Sequence, residues 1–408
     1  MKSDYKKSQF NYDTITKNGH LIYNTMYNSL IRLDDTEYSQ YNKMEFLNED
    51  LEMALYEYGL LMPNSINEKE IYNLYSLLSE KYHSGKLNLT VTPTMECNAR
   101  CFYCYEEGVR CGNMRNEDAD KIVEILSKSQ IKREILLTWF GGEPLMNQEW
   151  MDYFSKALKT ANFSFSAFLI SNGSKITDQV IQKMQEDWNI HSVQITLDGD
   201  DEEYCKRKDY IDQDETIYYS MLSKIKKLSK AGISVQIRIN IDLENLESVY
   251  ALVDDLQQVF YKENNVTFYP AFLTGGKRKI SELKKIEIIK EILIRVKDMD
   301  KLPINSYLYK WPKTHACYYN QTSAFSIDTK GNIFKCEHQL GHDNKAIGNI
   351  YTELEENYNQ REFSGRRIEC QKCVFLPKCH GGCNSSYEQG ETPCFIDKYL
   401  IKAYLELL

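Results

Sequence analysis

Six short runs rich in β-branched and aromatic residues, LNLTVTPT, EILLTWF, SFSAFLI, SVQITL, SVQIRINI and VTFYPAF, recur between residues 87 and 272. Helical patterns such as NEDADKIVEILSKSQ and YYSMLSKIKKLSKAG separate them. Strands that alternate with helices run parallel, because the chain must cross back over one face of the sheet before laying down the next strand. Six repeats predict an α/β fold, a partial (β/α)6 barrel, with reactive groups at the C-terminal ends of its strands.

The chain on either side of these repeats has a different pattern. HLIYNTMYNSLIRL, residues 20 to 33, alternates apolar and polar positions about a short turn and predicts a β-hairpin. Two helices should follow. NEDLEMALYEYGLL begins at a capping Asn48 and ends near Gly59; SINEKEIYNLYSLLSEKYHSG has Ser65 and Glu68 in capping-box spacing and stops at Gly85. Beyond residue 300 the alternation ends, and seven of the twelve cysteines lie in a Gly- and Pro-punctuated tail. Ligand bonds, more than a large apolar core, are expected to hold this tail together. Three domains, 1–86, 87–300 and 301–408, suit a 408-residue chain.

Composition narrows the function classes. Hydrophobic residues make up 42% and charged residues 27%, the balance of a soluble globular protein, and the net charge of −9 argues against a nucleic-acid partner. No apolar stretch approaches a membrane span, and MKSDYKKSQFNYD lacks the apolar region of a signal peptide, so the expected location is cytoplasmic. In a reducing compartment clustered thiols are metal ligands more often than disulfides. The sequence leaves the oligomeric state open.

The first predicted strand ends in TMECNARCFYCYEEG, which places Cys97, Cys101 and Cys104 in a CxxxCxxC loop. Three thiolates can hold three irons of a [4Fe-4S] cube and leave the fourth iron for an outside ligand, whereas a zinc site normally takes four protein ligands. The tail segment CQKCVFLPKCHGGC, followed by Cys394, is less decisive, since four of its five thiols would complete one tetrahedral zinc.

With Tyr103 as the aromatic before its third cysteine, the loop resembles the CxxxCxΦC signature of radical S-adenosylmethionine enzymes. In that family S-adenosylmethionine chelates the open iron, and one-electron reduction cleaves it to a 5′-deoxyadenosyl radical. The resemblance implies further cofactor-binding positions at the strand ends. In FGGEP, Gly141 and Gly142 would let the backbone approach the methionine moiety and Glu143 would meet its ammonium group. Ser171 and Asn172 of SNG, and Thr196 and Asp198 of TLDG, look like cofactor-lining strand ends. Arg207 resembles the arginine that reaches the cofactor carboxylate; the usual His-Asp pair before it is missing, which leaves Lys208 as the alternative.

The tail resembles the SPASM domain, which holds two auxiliary [4Fe-4S] clusters in enzymes that modify peptides and proteins. Cys317, Gly331, Cys336, Cys370, Cys373, Cys379, Cys383 and Cys394 carry that resemblance. By the family arrangement Cys370, Cys373, Cys379 and Cys394 would complete one cluster, and Cys317, Cys336 and Cys383 the other. Two cubes want eight ligands, so the second has a non-cysteine ligand, with His315 nearest, or an open iron that a substrate cysteine could take; Cys111 and Cys205 are the spare thiols. Glu337 resembles the position of the catalytic base in sulfatase-maturing members.

The N-terminal unit resembles the leader-recognition domain, of winged-helix type, similar to the pyrroloquinoline-quinone D protein. Such domains pair a leader peptide with a sheet edge. The expected protein is therefore a peptide maturase with three [4Fe-4S] clusters, one of them binding S-adenosylmethionine. It would take a precursor peptide with its leader, draw electrons from a flavodoxin or ferredoxin, and install a thioether, carbon-carbon or carbon-oxygen crosslink. Sulfatase maturation to formylglycine is the alternative within the family. A non-catalytic iron-sulfur electron carrier and a zinc-stapled α/β enzyme are alternatives outside it.

Overall fold

The computed structural model describes residues 4–47, 49–81, 86–109, 112–128, 134–211, 216–273, 279–296, 301–302, 304, 308, 319, 321–352, 368–383, 394 and 396–408, with backbone only for 77–81 and 368. The statements below concern these residues. Asn48, Gly85, Cys111, His315 and Cys317 lie outside them.

The first 80 residues build two small sheets and three helices. Strand β1 (Tyr5–Lys7) pairs antiparallel with β5 (Leu61–Pro63), and β2 (Asn11–Thr16), β3 (Gly19–Asn24) and β4 (Leu30–Leu33) form a meander. The predicted hairpin is β3–β4; β2 extends it to a third strand. Helix α1 (Asp35–Lys43) starts at a capping box in which Asp34 accepts from the Glu37 amide and Glu37 reaches back to the Asp34 amide. Helices α2 (Glu49–Glu57) and α3 (Glu68–Lys81) match the two predicted ones.

The expected Ser65–Glu68 capping box does not form. Helix α3 begins at Glu68, so the capping position falls to Asn67, whose side chain meets the Glu70 amide at 3.4 Å and the Glu70 carboxylate at 2.7 Å. Glu68 instead turns into the interior, where it accepts from the Ser8 hydroxyl at 2.7 Å and the Gln9 amide at 2.9 Å. Burial raises its pKa despite these donors.

All six predicted repeat strands are present as β6 (Lys86–Val91), β7 (Glu134–Trp139), β8 (Phe165–Ser171), β9 (Ile190–Leu197), β10 (Ser234–Ile241) and β11 (Val266–Phe272). Each pairs in parallel with its sequence neighbour, in the order β11-β10-β9-β8-β7-β6. Alternation along β9 and β10 sends Val193, Ile195 and Leu197, and Val235, Ile237, Ile239 and Ile241, into the core under the helices. The opposite face carries polar residues, among them Gln194, Thr196, Arg238 and Asn240.

The sheet continues past residue 300. Strand β12 (Ala324–Ile327) pairs in parallel with β6, and β13 (Asn332–Phe334) and β14 (Gly348–Asn349) add antiparallel strands beyond it, giving nine in all. Phe334 and Leu340 pack against Phe140 and Ile170, so the cysteine-rich tail shares a core with the six-strand unit. The last helix, α5 (Ile396–Leu405), packs on α4 (Glu282–Arg295) through paired contacts of Lys398 and Lys402 to Glu282, at 2.8 and 2.7 Å. No described helix is long and apolar enough to cross a membrane.

Candidate active site

The cysteine loop leaves β6 and is held on both flanks by backbone bonds. On one side the FGGEP segment after β7 lies against it: Gly142 N donates to Thr94 O at 3.2 Å and Glu143 N to Glu96 O at 2.8 Å. Gly141 has φ +124°, and a Cβ there would meet Thr94 O at 2.4 Å. At Gly142 a Cβ would lie 2.3 Å from Glu96 O. The two glycines thus serve the close approach of this segment to the cysteine loop. On the other side Arg100 N donates to the carbonyls of Lys208 and Asp209, at 3.0 and 2.9 Å, and Ala99 bridges to Tyr210.

Cys97, Cys101 and Cys104 are all half-buried on this loop. The Cys97 sulfur accepts from the Ala99 amide at 3.4 Å and the Asn172 side chain at 3.7 Å, contacts suited to a thiolate. Burial raises the Cys101 pKa, and the Lys208 cation opposes that rise. Glu143 is fully buried; its carboxylate accepts from Ser171 Oγ at 2.9 Å, Asn172 N at 2.8 Å and Leu145 N at 3.1 Å. Burial raises its pKa and these donors work against it. Glu143, Ser171 and Asn172, expected on separate strand ends, therefore form one network with Cys97.

At the end of β9 a second network forms. Asp198 is fully buried; its Oδ2 accepts from Tyr103 at 2.6 Å and lies 3.2 Å from Lys208 Nζ, which also reaches the Tyr103 hydroxyl at 3.1 Å. Burial disfavours the Lys208 charge, but Asp198 and Tyr103 outweigh it and hold its pKa above the ordinary range. Asp198 Oδ1 is buried and takes no hydrogen bond among the described residues. Thr196 precedes it on the same face of β9.

Arg207 faces elsewhere. Its guanidinium grips Asp242 with two bonds of 2.9 and 3.0 Å and meets Glu203 at 2.5 Å, with the Phe102 ring 5.2 Å away. Of the two candidate cations, it is Lys208 that stands among the cysteine-loop tyrosine and Asp198. The sequence left these open because adjacent helix positions point about 100° apart, and register decides which one faces in.

In the tail, Cys336 lies two residues past the end of β13 and is buried, and Glu337 opens the short helical turn that follows. His338, in the same turn, packs its ring 4.5 Å from that of Tyr105 on the cysteine loop. Cys370 Sγ lies 3.7 Å from Gly381 O. Lys398 Nζ is 3.8 Å from Cys394 Sγ and lies near Cys373, and Tyr399 lies near Cys394 and Cys379. Cys373, Cys379 and Cys394 thus face the start of one helix. Cys383 is half-buried, and Cys205 lies on the outer helix Asp201–Lys208. Among the described residues no three Cys, His, Asp or Glu side chains converge closely enough to hold one metal ion.

The donor set fits the cofactors that the sequence calls for: soft thiols on one loop, amide donors on a sulfur, and a buried carboxylate oxygen without a partner beside them. Residues 91–256 match the model of the Radical SAM superfamily. The chain carries a radical SAM domain.

A serine-type anaerobic sulfatase-maturating enzyme of Bacteroides thetaiotaomicron is 24% identical over 345 residues, 70% of this chain and 80% of that protein. A probable GTP 3′,8-cyclase of Thermococcus kodakarensis is 26% identical over 164 residues, 40% of this chain, and the match spans 51% of that relative's length. Among solved structures, native anSMEcpe with bound AdoMet and Cp18Cys peptide superposes with a TM-score of 0.61 at 18% identity, covering 79% of this chain and 95% of that one. Streptococcus suis SuiB bound to precursor peptide SuiA gives a TM-score of 0.54 at 16% identity, covering 96% and 98%. These likenesses share the radical SAM fold.

Residues outside the sequence motifs also line the polar face. Arg238 of β10 stands beside Thr196 of β9 and Tyr269 of β11 in register, and the Tyr269 hydroxyl donates to Gln194 at 2.7 Å. Their one signal in the sequence is alternation: in SVQIRINI the polar residues Gln236, Arg238 and Asn240 share the face opposite the isoleucines.

Proposed function

We propose that this protein is a radical SAM peptide maturase that abstracts hydrogen from a ribosomally made precursor peptide and installs a crosslink. The observation that carries this reading is the N-terminal unit. The SuiB likeness extends over 96% of the chain, and so over that unit, whereas the likeness to anSMEcpe extends over 79%. Its meander has an open strand edge at β2, where Ile15 is 74% exposed, as leader pairing by strand addition would need.

Cys97, Cys101 and Cys104 would hold the cluster that binds S-adenosylmethionine; when bound, that pair supplies a 5′-deoxyadenosyl radical after one-electron reduction by a flavodoxin or ferredoxin. Asn172 and the Ala99 amide hold Cys97 in place, and Lys208 with Tyr103 holds Asp198 toward the loop. Glu337, in the turn across from the cysteine loop, is the proposed base that takes a proton from the substrate. Cys370, Cys373, Cys379 and Cys394 are proposed as one auxiliary cluster, and Cys317, Cys336 and Cys383 as the other, whose last iron a substrate cysteine would occupy in a thioether-forming reaction.

Formylglycine formation is the second reading, favoured by the 345-residue match to the sulfatase-maturating enzyme. The test is anaerobic reconstitution with S-adenosylmethionine, dithionite and the precursor peptide encoded beside the gene. A crosslink predicts 5′-deoxyadenosine and a peptide lighter by two hydrogens that does not react with a hydrazide. An aldehyde trapped by the hydrazide selects formylglycine, and no 5′-deoxyadenosine with any peptide leaves an electron carrier.

A further inference from the structure

Arg238 sits mid-strand on β10, half-buried, on the polar face of the sheet. An arginine there has lost part of its hydration and stays charged, so its donors want a counter-charge. Among the described residues its partners are neutral. Nε donates to Asn240 Oδ1 at 3.0 Å, and the Tyr269 phenol lies beside the guanidinium, whose charge opposes the rise that burial gives its pKa. Among the described residues no carboxylate comes within ion-pair distance, and donors on the fork are left over. The other deeply placed site cations are all paired: Arg207 with Asp242 and Glu203, Lys208 with Asp198.

The position of this unpaired charge is informative. In register it flanks Thr196, two residues before Asp198, and its charge reaches both Tyr105, next to Cys104, and His338, next to Glu337. Tyr105 and His338 are themselves exposed and in ring contact. The guanidinium therefore lies in the space bounded by the cysteine loop, the end of β9 and the Glu337 turn.

We propose that Arg238 anchors a carboxylate of the substrate peptide, an Asp or Glu side chain next to the residue that is modified, and so selects acidic core sequences. This rests on the peptide-maturase reading above. A carboxylate can take two parallel bonds from the fork, with Tyr269 and Asn240 fixing the plane of the guanidinium. A neutral amide in the same place would leave the arginine without a counter-charge.

The experiment uses the reconstituted full-length protein with S-adenosylmethionine and two probes, the capped pentapeptides Gly-Gly-Glu-Gly-Gly and Gly-Gly-Gln-Gly-Gly, with binding measured by anaerobic equilibrium dialysis. The Glu peptide should bind about tenfold more tightly than the Gln peptide. In Arg238→Gln that preference should vanish, Arg238→Lys should keep part of it, and the affinity for S-adenosylmethionine should be the same in all three proteins. Equal binding of the two peptides to the unaltered protein, or no binding of either, overturns the proposal and needs no variant to fold. A fall in S-adenosylmethionine affinity in Arg238→Gln overturns it too, by making Arg238 a cofactor ligand. Crosslink formation on the precursor is scored separately, so absence of the acidic preference in the unaltered protein with modification intact refutes the anchor and leaves the maturase reading standing.

Discussion

At the scale of single residues, two neighbours in one helix divide the work of the site. Lys208 joins Tyr103 and Asp198 beside the cysteine loop, and Arg207 ties the same helix to the end of β10 through Asp242. Burial would raise the Asp242 pKa, but hydrogen bonds from Arg207 and from the amides of Glu244 and Asn245 outweigh it and hold it below its ordinary value. A carboxylate with a lowered folded pKa contributes stability above its unfolded pKa and loses it as the pH falls through the folded one. Asp242→Asn should therefore cost about 2 kcal/mol at neutral pH, less than a fully buried pair because Asp242 keeps some solvent contact. In urea titrations over a pH series, the gap between variant and parent should close as the pH drops below the carboxylate range. A gap that stays constant into acid would mean that the ion pair contributes nothing.

Among elements, the register between the β7 end and the cysteine loop is the tightest junction. Backbone bonds from Gly142 and Glu143 leave no room for a side chain, since a Cβ added to Gly142 would fall only 2.3 Å from Glu96 O. Gly142→Ala must push the loop away and spread the three thiols. After anaerobic reconstitution its iron content should fall by about four atoms per chain, one cube's worth, with the tail clusters retained. Undiminished iron would show that the loop yields without losing its ligand geometry. The glycines were legible in FGGEP as sites of close approach, but the sequence pointed to the cofactor as the neighbour. Only the fold shows that the cysteine loop's own backbone fills that space, because this contact joins segments more than forty residues apart.

For the whole molecule, the N-terminal unit clasps the cysteine-rich tail. The Tyr72 hydroxyl meets His380 Nδ1 at 2.7 Å and Leu376 O at 3.2 Å, Thr25 donates to Val374 O, and Phe10, Tyr72 and Leu376 share a core with Cys370 beside it. Removing residues 1–86 should thus lower iron loading of the tail as well as leader affinity, whereas Tyr72→Phe should cost about 1–3 kcal/mol and leave leader affinity unchanged. Full iron content in the truncated protein would show that the tail folds without the clasp. By itself the sequence determined the six-strand repeat, the polar and apolar faces of each strand, and the thiol-bearing segments, because side-chain periodicity and ligand spacing are local properties of the chain. It did not determine that the sheet runs on through β12, that Lys208 rather than Arg207 meets Asp198, or that Arg238 has no carboxylate partner among the described residues. Those outcomes depend on register and on contacts between residues far apart in the chain, and the tertiary structure alone decides which distant groups share a buried space.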